Sequence, residues 1–474
     1  LAKPKNKQDK VTLQFVGENY ESVTGSATIV SYKNKSIMID CGMYQGSSKF
    51  KSYITNKNMF KNISTSSISD VILTHTNIDH CSNLPILFNK GGNPKVHMVK
   101  GSKRIVELLL LDSFKINKSD VEYLSKGKKK YGLLFDKKDI KKVMSNTFEH
   151  RYNEIYHIND YMSIEHISAG HIYLSSQIIV RIKDGNYNKK IVFTGDIGSN
   201  TPKPMTKPLE HIKSCDVLIG ECTYAMAENK CTQKYRYIDI QLLKDTINNT
   251  CGVESKKVLI ASFAQQRTLD ILDVLYSIWE TDKFDYRIYV DSPLANNIIE
   301  TIASQTSDSI FYKLQLWQNL MFIDSYEDSK LLVASNEPCI IISSSGFAQG
   351  GRILTHFTTV LPDKDSTLVT IGYSSPDCNM GLVKKRKPIS IMNDGKVKLY
   401  LPSCNIVELK SFSSHAQHEQ LLDYYSSINC EKVILNHGDN NKKIQFTELL
   451  ENEFVKKCKT TKVLIPNKKD RMEI

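Results

Sequence analysis

Val71-Ile72-Leu73-Thr74-His75-Thr76-Asn77-Ile78-Asp79-His80 runs from an apolar, β-branched trio straight into a polar cluster. The trio reads as a short buried strand, and a strand that ends among polar residues is where active-site loops sit. Three side chains able to bind metal, His75, Asp79 and His80, fall within six residues of a chain that has 12 histidines. Zinc prefers imidazole and carboxylate ligands, and a tight turn aims closely spaced side chains at one point. The plain alternative is a polar loop whose histidines are incidental.

Upstream, Val11–Phe15, Ala27–Tyr32 and Ser36–Ile39 are β-rich runs broken by Gly17, Gly25 and Asn34. Downstream, Ser102–Phe114 has a helical pattern, and Ile178–Ile182 with Lys190–Phe193 reads as a hairpin around Asp184-Gly185. From about residue 206 the pattern becomes alternating strand and helix. Val217–Ile219, Lys257–Ile260, Arg287–Val290 and Cys339–Ile342 are strand-like, with helical stretches such as Gln265–Glu280 and Ala295–Gln305 between them. That alternation predicts a mostly parallel sheet covered on both faces. Near residue 395 strand-like runs return (Val397–Leu401, Val407–Leu409), then a helix over His415–Ser427 and a strand over Lys432–Leu435. The expectation is one domain, 1–205 and 395–474, interrupted by an inserted α/β domain at 206–394.

Composition sets bounds on this. At 474 residues and 41% hydrophobic, the chain is long enough for two cores and reads as globular. No apolar run approaches bilayer length, so no membrane partner is expected. The basic, polar start carries no signal-peptide pattern, and it begins with Leu1 rather than Met, as a trimmed chain does. Eleven cysteines without a C-x-x-C pair argue against a disulfide scaffold and for a reducing compartment. The net charge of +12 suits an anionic partner such as nucleic acid, but many basic proteins have none. The lysine clusters at 126–130, 137–142 and 384–387 read as solvated faces.

The segment from His75 resembles the H-x-H-x-D-H signature of the metallo-β-lactamase superfamily, with Asn77 where the second histidine belongs. Further motifs follow in order. Ile39-Asp40-Cys41-Gly42 resembles the early strand-end aspartate motif, Ala169-Gly170-His171 the third-motif histidine, and Thr194-Gly195-Asp196 the bridging aspartate. The insertion is similar to the β-CASP module of nucleases that process RNA and DNA. Gly220-Glu221-Cys222-Thr223-Tyr224 resembles its acidic motif A, Phe412-Ser413-Ser414-His415-Ala416 its motif B, and Leu435-Asn436-His437-Gly438 its motif C. Val290-Asp291-Ser292-Pro293-Leu294-Ala295 and Ser343-Ser344-Ser345-Gly346 also match stretches typical of the group. The likeness spans nearly the whole chain. It implies an α/β fold: a metallo-β-lactamase αββα sandwich interrupted by a β-CASP α/β domain with a mostly parallel sheet.

The resemblance implies two zinc ions. His75 and His171 would bind the first, with Asn77 at the place of its third imidazole. Asp79, His80 and His437 would bind the second, and Asp196 would bridge both. Two ions about 3.5–4 Å apart lower the pKa of a water and clamp the oxygens of an in-line phosphodiester displacement. Asp40 is cast as the carboxylate that holds a ligand histidine in its tautomer. His415 is cast as the general acid, with Glu221 hydrogen-bonded behind it. Ser344, Ser345 and Gly346 form a small-residue loop suited to phosphate, and Arg267 and Arg352 are candidate RNA contacts, although a turn and surface ion pairs explain these three features nearly as well.

Histidine at motif C is typical of the RNA-cutting branch, so single-stranded RNA is the implied substrate and endonuclease action the implied reaction, with 5′→3′ exonuclease action as an addition. Val23-Thr24-Gly25-Ser26 and Met43-Tyr44-Gln45-Gly46 look more like bacterial members, and the eukaryotic messenger-RNA cleavage subunit is a close relative. A bacterial source implies the cytoplasm and a eukaryotic one the nucleus. The assembly implied is a homodimer or a processing-complex subunit. Asn77 departs from the pattern, because a neutral amide oxygen is a poor zinc ligand beside imidazole. It fits an engineered trap, a catalytically silent RNA-binding or scaffolding pseudo-nuclease, a working single-metal site, or slow turnover through weak ligation. Ala225 stands where glycine is common and Gln417 where aspartate is, which bears on fine geometry. A small-molecule hydrolase of the same superfamily is a third class, against which the inserted domain argues.

Overall fold

In the strand Lys35–Ile39, Ile37 and Ile39 point into one apolar cluster and Met38 into another. The same alternation recurs in Val217–Gly220, where Val217 and Ile219 join the cluster of Ile37 while Leu218 faces a third. Period-two strands with both faces apolar are strands buried between two layers. The computed structural model, which describes residues 9–46, 48–226, 232–372, 374, 378–393, 396–467 and 471–474, arranges them accordingly.

The chain forms two compact units. One comprises Leu1–Asn200, Thr206–Asn229 and His415–Ile474, the other Thr201–Met205 and Lys230–Ser414. The first unit holds two seven-stranded sheets. One runs Arg471–Glu473, Thr12–Phe15, Thr28–Tyr32, Lys35–Ile39, Ile68–Ile72, Lys95–Val99, Thr147–His150; the other Lys462–Leu464, Lys432–Leu435, Val217–Gly220, Tyr187–Phe193, Ser176–Asp184, Met162–Ser168, Ile155–His157. Leu13, Phe15, Ile37 and Ile39 from the first sheet pack against Ile178, Val180, Ile191 and Ile219 from the second. The outer face of the first sheet is covered by Val106, Leu110 and Val143 from the helices Ser102–Leu124 and Lys137–Ser145. That of the second is covered by Leu421, Tyr425, Phe446 and Leu450 from His418–Ser427 and Asn440–Lys456. This is the αββα sandwich. Each such side chain contributes roughly 1.5–3 kcal/mol on burial, and a one-residue slip would turn Ile37 and Ile39 out of the core, so register is tightly set.

The second unit is built on a six-stranded sheet in the order Leu320–Phe322, Arg287–Asp291, Cys339–Ser343, Val258–Ala261, Thr367–Ile371, Asn405–Leu409. Every neighbouring pair in it is parallel. Its strands are apolar on both faces because helices cover both: Leu272 and Leu275 of Arg267–Asp282 on one side, Ile353 and Phe357 of Ile353–Val360 on the other.

The boundaries differ from those expected at 206–394. Val217–Gly220 is hydrogen-bonded between Tyr187–Phe193 and Lys432–Leu435, so residues 206–229 stay with the first unit. At the other end, Asn405–Leu409 pairs with Thr367–Ile371, and Lys396–Tyr400 forms a hairpin with Ile389–Asn393, so the second unit extends to Ser414. Among the described residues, no helix is long and apolar enough to cross a membrane.

Candidate metal centre

The first unit brings the motif residues to one end of its sheets: Asp40, His75, His171, Asp196, Glu221 and His437 within three residues of a strand end, Asp79 and His80 on the short helix Ile78–Cys81, and His415 just ahead of the helix His418–Ser427. Asp40 follows Lys35–Ile39 and takes a left-handed backbone, φ 58°, which aspartate tolerates better than most residues. Its carboxylate is saturated: it accepts from the Thr74 amide at 2.8 Å, the Thr74 hydroxyl at 3.0 Å and the Ser26 hydroxyl at 3.1 Å, and it meets His80 Nδ1 at 2.8 Å. With Nδ1–H donated to Asp40, His80 turns the Nε2 lone pair the other way. Gly42 makes this possible, because a Cβ there would lie 1.6 Å from the Asp79 carbonyl.

Asp196 stands in the middle, buried, and its two oxygens face different partners. Oδ2 lies 3.5 Å from His75 Nε2 and 3.7 Å from His171 Nε2. Oδ1 lies 3.4 Å from His80 Nε2 and 3.5 Å from His437 Nδ1. Asp79 completes the second set, with Oδ2 3.5 Å from His437 Nε2 and 3.8 Å from His80 Nε2. His75 Nε2, His80 Nε2, His437 Nε2 and Asp196 Oδ1 are all buried and make no hydrogen bond. A polar atom buried without a partner costs roughly 1–3 kcal/mol, so four in one place call for a shared partner. Ligand atoms about 2.0–2.2 Å from a tetrahedral zinc are themselves roughly 3.4 Å apart, the spacing seen here. The donor set therefore fits a divalent metal.

The electrostatics agree. Burial pushes the Asp196 carboxyl up, but His437 and His80 beside it outweigh burial and hold it well below the usual carboxylate range. Asp79 is likewise held down, by His80 and His437 against burial. Burial opposes a charge on His80, yet Asp196, Asp40 and Asp79 together raise it well above the ordinary imidazole value, and Asp196 foremost does the same for His437. His75 goes the other way, down to about 4, through burial and then the His80 charge. The centre is thus built around buried negative charge that calls for a cation.

Glu221 and His415 adjoin it. The Glu221 carboxylate accepts from the Ile197 amide at 2.7 Å and the Thr223 amide at 3.1 Å, and it meets His415 Nδ1 at 3.2 Å. His415 Nε2 then points inward, 4.0 Å from Asp196 Oδ2. That is near enough for His171, Asp196 and His415 to form a potential ligand group too. Asn77 starts the short helix Ile78–Cys81, and its carbonyl accepts from the His80 and Cys81 amides. Two residues missed in the sequence belong here. The Thr74 hydroxyl contacts Asp40, His75 and His80, and the Thr223 hydroxyl lies 3.1 Å from His437 Nδ1. Adjacency to a motif was their sole signal. Ala225 and Gln417 have local roles: Ala225 is fully buried, and the Gln417 side chain donates to the His415 carbonyl at 3.2 Å.

The proposed RNA contacts lie at the carboxyl end of the parallel sheet in the second unit. Ser344 follows Cys339–Ser343, and its hydroxyl is 2.6 Å from that of Ser292. Ser345 and Gly346 come next, with the Phe263 ring against Gly346. Arg267 opens the helix Arg267–Asp282, and its Nη1 is buried without a hydrogen-bond partner. Arg352 is different. Its guanidinium is engaged by Asp291 at 2.5 Å and by the carbonyls of Ile323 and Asp324. Its Nη donors clamp a strand end, so a phosphate would compete with Asp291 for this residue.

Comparison with known proteins follows the same divisions. Residues 22–239 match the metallo-β-lactamase superfamily, 268–378 the Beta-Casp domain, and 403–466 the Zn-dependent metallo-hydrolase RNA specificity domain. The chain is 28% identical over 457 residues to the transcription termination factor FttA of Methanothermobacter thermautotrophicus, covering 93% of this chain and 69% of that protein. It is 25% identical to a ribonuclease of Thermus thermophilus, over 90% of this chain and 93% of that one. With the cleavage and polyadenylation specificity factor subunit 3-I of Arabidopsis thaliana it shares 25% identity over 98% of this chain and 64% of that one. A crystal structure of a protein of unknown function from Enterococcus faecalis has the same fold at 13% identity, with a TM-score of 0.54 over 98% of this chain and all of that one. With three family models in order along the chain and a centre of imidazoles and carboxylates fit for a divalent metal, the chain belongs to the β-CASP branch of the metallo-β-lactamase superfamily of metal-dependent hydrolases.

Proposed function

We propose that this chain is a zinc-dependent ribonuclease that hydrolyses phosphodiester bonds of single-stranded RNA as an endonuclease, with 5′→3′ trimming as a second mode. Asn77 weakens one of its two zinc positions. The observation that carries the reading is the division of Asp196, whose Oδ2 faces His75 and His171 while Oδ1 faces His80 and His437. When bound there, the metal would draw in phosphate oxygens and lower the pKa of a water at neutral pH. The remaining work belongs to side chains of the protein. Asp40 sets the His80 tautomer. His415, backed by Glu221 and the more exposed of the two, would hand a proton to the leaving oxygen. In the second unit, Arg267 and the Ser344-Ser345-Gly346 loop would receive backbone phosphates. RNA as substrate is supported by the RNA specificity domain match and by a relative that is itself a ribonuclease.

A silent RNA-binding scaffold is the second reading, and Asn77 favours it, since an amide replaces an imidazole that the pattern expects. Asn77→His separates the two. Asparagine is near histidine in size, and the Asn77 backbone is already fixed by its bonds to His80 and Cys81. The chain as it stands should retain nearer one zinc than two, and the variant should gain the second and cut unstructured RNA in a chelator-sensitive way. A variant that holds two zincs and cuts no RNA would favour the scaffold.

A further inference from the structure

The two strands that end at Glu221 and His437 start beside each other, and a cysteine precedes each. Val217–Gly220 and Lys432–Leu435 run parallel, with Val217 opposite Lys432. The bridge between Ser214 and Asn429 continues the same offset upstream, and the Cys215 amide donates to the Asn429 carbonyl at 3.1 Å. Cys215 therefore stands opposite Cys430. Both side chains join the apolar cluster on the outer face of the second sheet, so they project to the same side. Neighbouring strands lie about 4.7–4.9 Å apart, within the roughly 4.4–6.8 Å between Cα atoms that a disulfide spans.

Their setting differs from that of the other buried cysteines. Among the described residues the other buried cysteines are 0–5% exposed, whereas Cys215 and Cys430 are 9% and 8% exposed. The neighbouring Cys215 thiol draws the Cys430 thiol below its ordinary value against the effect of burial, and Thr461 and the Lys459 ammonium add to it. Thiolate is the attacking species in disulfide exchange, so Cys430 is the nucleophile of the pair.

We propose that Cys215 and Cys430 form a redox-active dithiol that closes to a disulfide on meeting a small-molecule disulfide. The Cys430 thiolate attacks one sulfur of that disulfide, forms a mixed disulfide and releases one small thiolate. Cys215 gives its proton to the released thiolate and attacks the Cys430 sulfur, closing the protein bond and expelling the second small thiolate, which takes a proton from solvent. Two protein thiols are oxidised, one disulfide is reduced to two thiols, and no other oxidant enters. The bond fastens the starts of the two strands whose far ends carry Glu221 and His437. It also closes a chain loop that contains all of Lys230–Ser414, and a long loop constrains the unfolded state most.

The test uses the full chain incubated with oxidised glutathione, quenched by alkylation and mapped by non-reducing peptide mass spectrometry. A Cys215–Cys430 cross-linked peptide should appear, vanish with dithiothreitol, and accompany a rise of several degrees in the thermal midpoint. Exposed Cys458 should take up glutathione as a simple adduct. In Cys215→Ser, Cys430 should stop at the glutathione adduct. Native chain in which Cys458 is modified while Cys215 and Cys430 remain fully alkylatable after denaturation would overturn the proposal. If Cys215→Ser does not fold, the map of the native chain decides by itself.

Discussion

Two histidine clusters stand in the first unit and behave oppositely. Around Asp196, imidazole nitrogens approach a shared carboxylate at 3.4–3.7 Å, and His80 and His437 are drawn towards the charged form by the acids beside them. In the other cluster the rings bond one another directly: His97 Nδ1 to His150 Nε2 at 2.7 Å, with His97 Nε2 on Asp70 at 2.8 Å. His166 Nδ1 meets the Ser176 hydroxyl at 2.9 Å, and that hydroxyl donates to the Thr74 carbonyl. Ser176 must therefore accept from His166, which keeps Nδ1–H and stays neutral. Burial first, then neighbouring imidazoles, press His150 down to about 4 and His166 to about 3. Five imidazoles surround Asp196 and three make up the other cluster, where Asp70 meets His97 alone; what separates the clusters is a carboxylate shared at the centre. Among the described residues, the groups able to share an ion all draw on the first cluster.

The largest expected effect breaks the first cluster at its middle. Asp196→Ala in the Asn77→His chain should lose bound metal and all chelator-sensitive RNA cleavage, read by metal analysis and a cleavage assay. Two zincs retained without Asp196 would mean that the carboxylate is not what organises the site. Next, His415→Ala in the same background should lower cleavage by roughly 10²–10⁴-fold, the usual size of an acid–base contribution, and leave the metal content intact. Loss of a zinc would instead make His415 a ligand, a role its 4.0 Å approach to Asp196 also permits.

The second cluster should show itself in acid. His166 is held below the ordinary imidazole value, so its neutral form belongs to the folded state. Its contribution to stability is complete above pH about 6.5 and is lost as pH falls towards 3, because the unfolded chain takes up the proton first. The loss across that window should be roughly 4–5 kcal/mol, at about 1.4 kcal/mol per unit. In His166→Gln, which cannot titrate, urea midpoints measured from pH 7 to 4 should fall less steeply than in the unaltered chain. Parallel slopes would place the acid sensitivity elsewhere.

This contrast also explains what the sequence could disclose. His75, Asp79 and His80 were legible because a turn after a strand puts neighbours in sequence into one site. His171, Asp196 and His437 became legible through motif order. His97, His150 and His166 carry no local pattern, since the sheets alone bring Lys95–Val99, Thr147–His150 and Met162–Ser168 together. The domain boundaries failed for a related reason. Val217–Gly220 and Asn405–Leu409 are alike as apolar runs, and pairing partners far along the chain decide which sheet takes each. Arg352 beside its glycines looked like a phosphate contact, and its partner Asp291 is 61 residues away.

The smallest effect sharpens the comparison from the structural side. Asp70 accepts from His97 Nε2 at 2.8 Å, inside the strand Ile68–Ile72 that leads into Thr74 and His75. Asp70→Asn keeps size and an acceptor oxygen but removes the charge, so it should cost about 1 kcal/mol, the difference between a charge-assisted and a neutral hydrogen bond. If the two clusters are independent, metal content should not change and the thermal midpoint should drop by only a few degrees. The strand carries them both, however, and packing transmits a shift at Asp70 towards Thr74, whose amide and hydroxyl hold Asp40. Metal analysis of Asp70→Asn therefore distinguishes the cases. Unchanged zinc with slightly lowered stability fits a scaffold of histidines that acts locally. Zinc lost from a still-folded chain would mean that the second cluster tunes the first through this strand, and the separation drawn between them would fail.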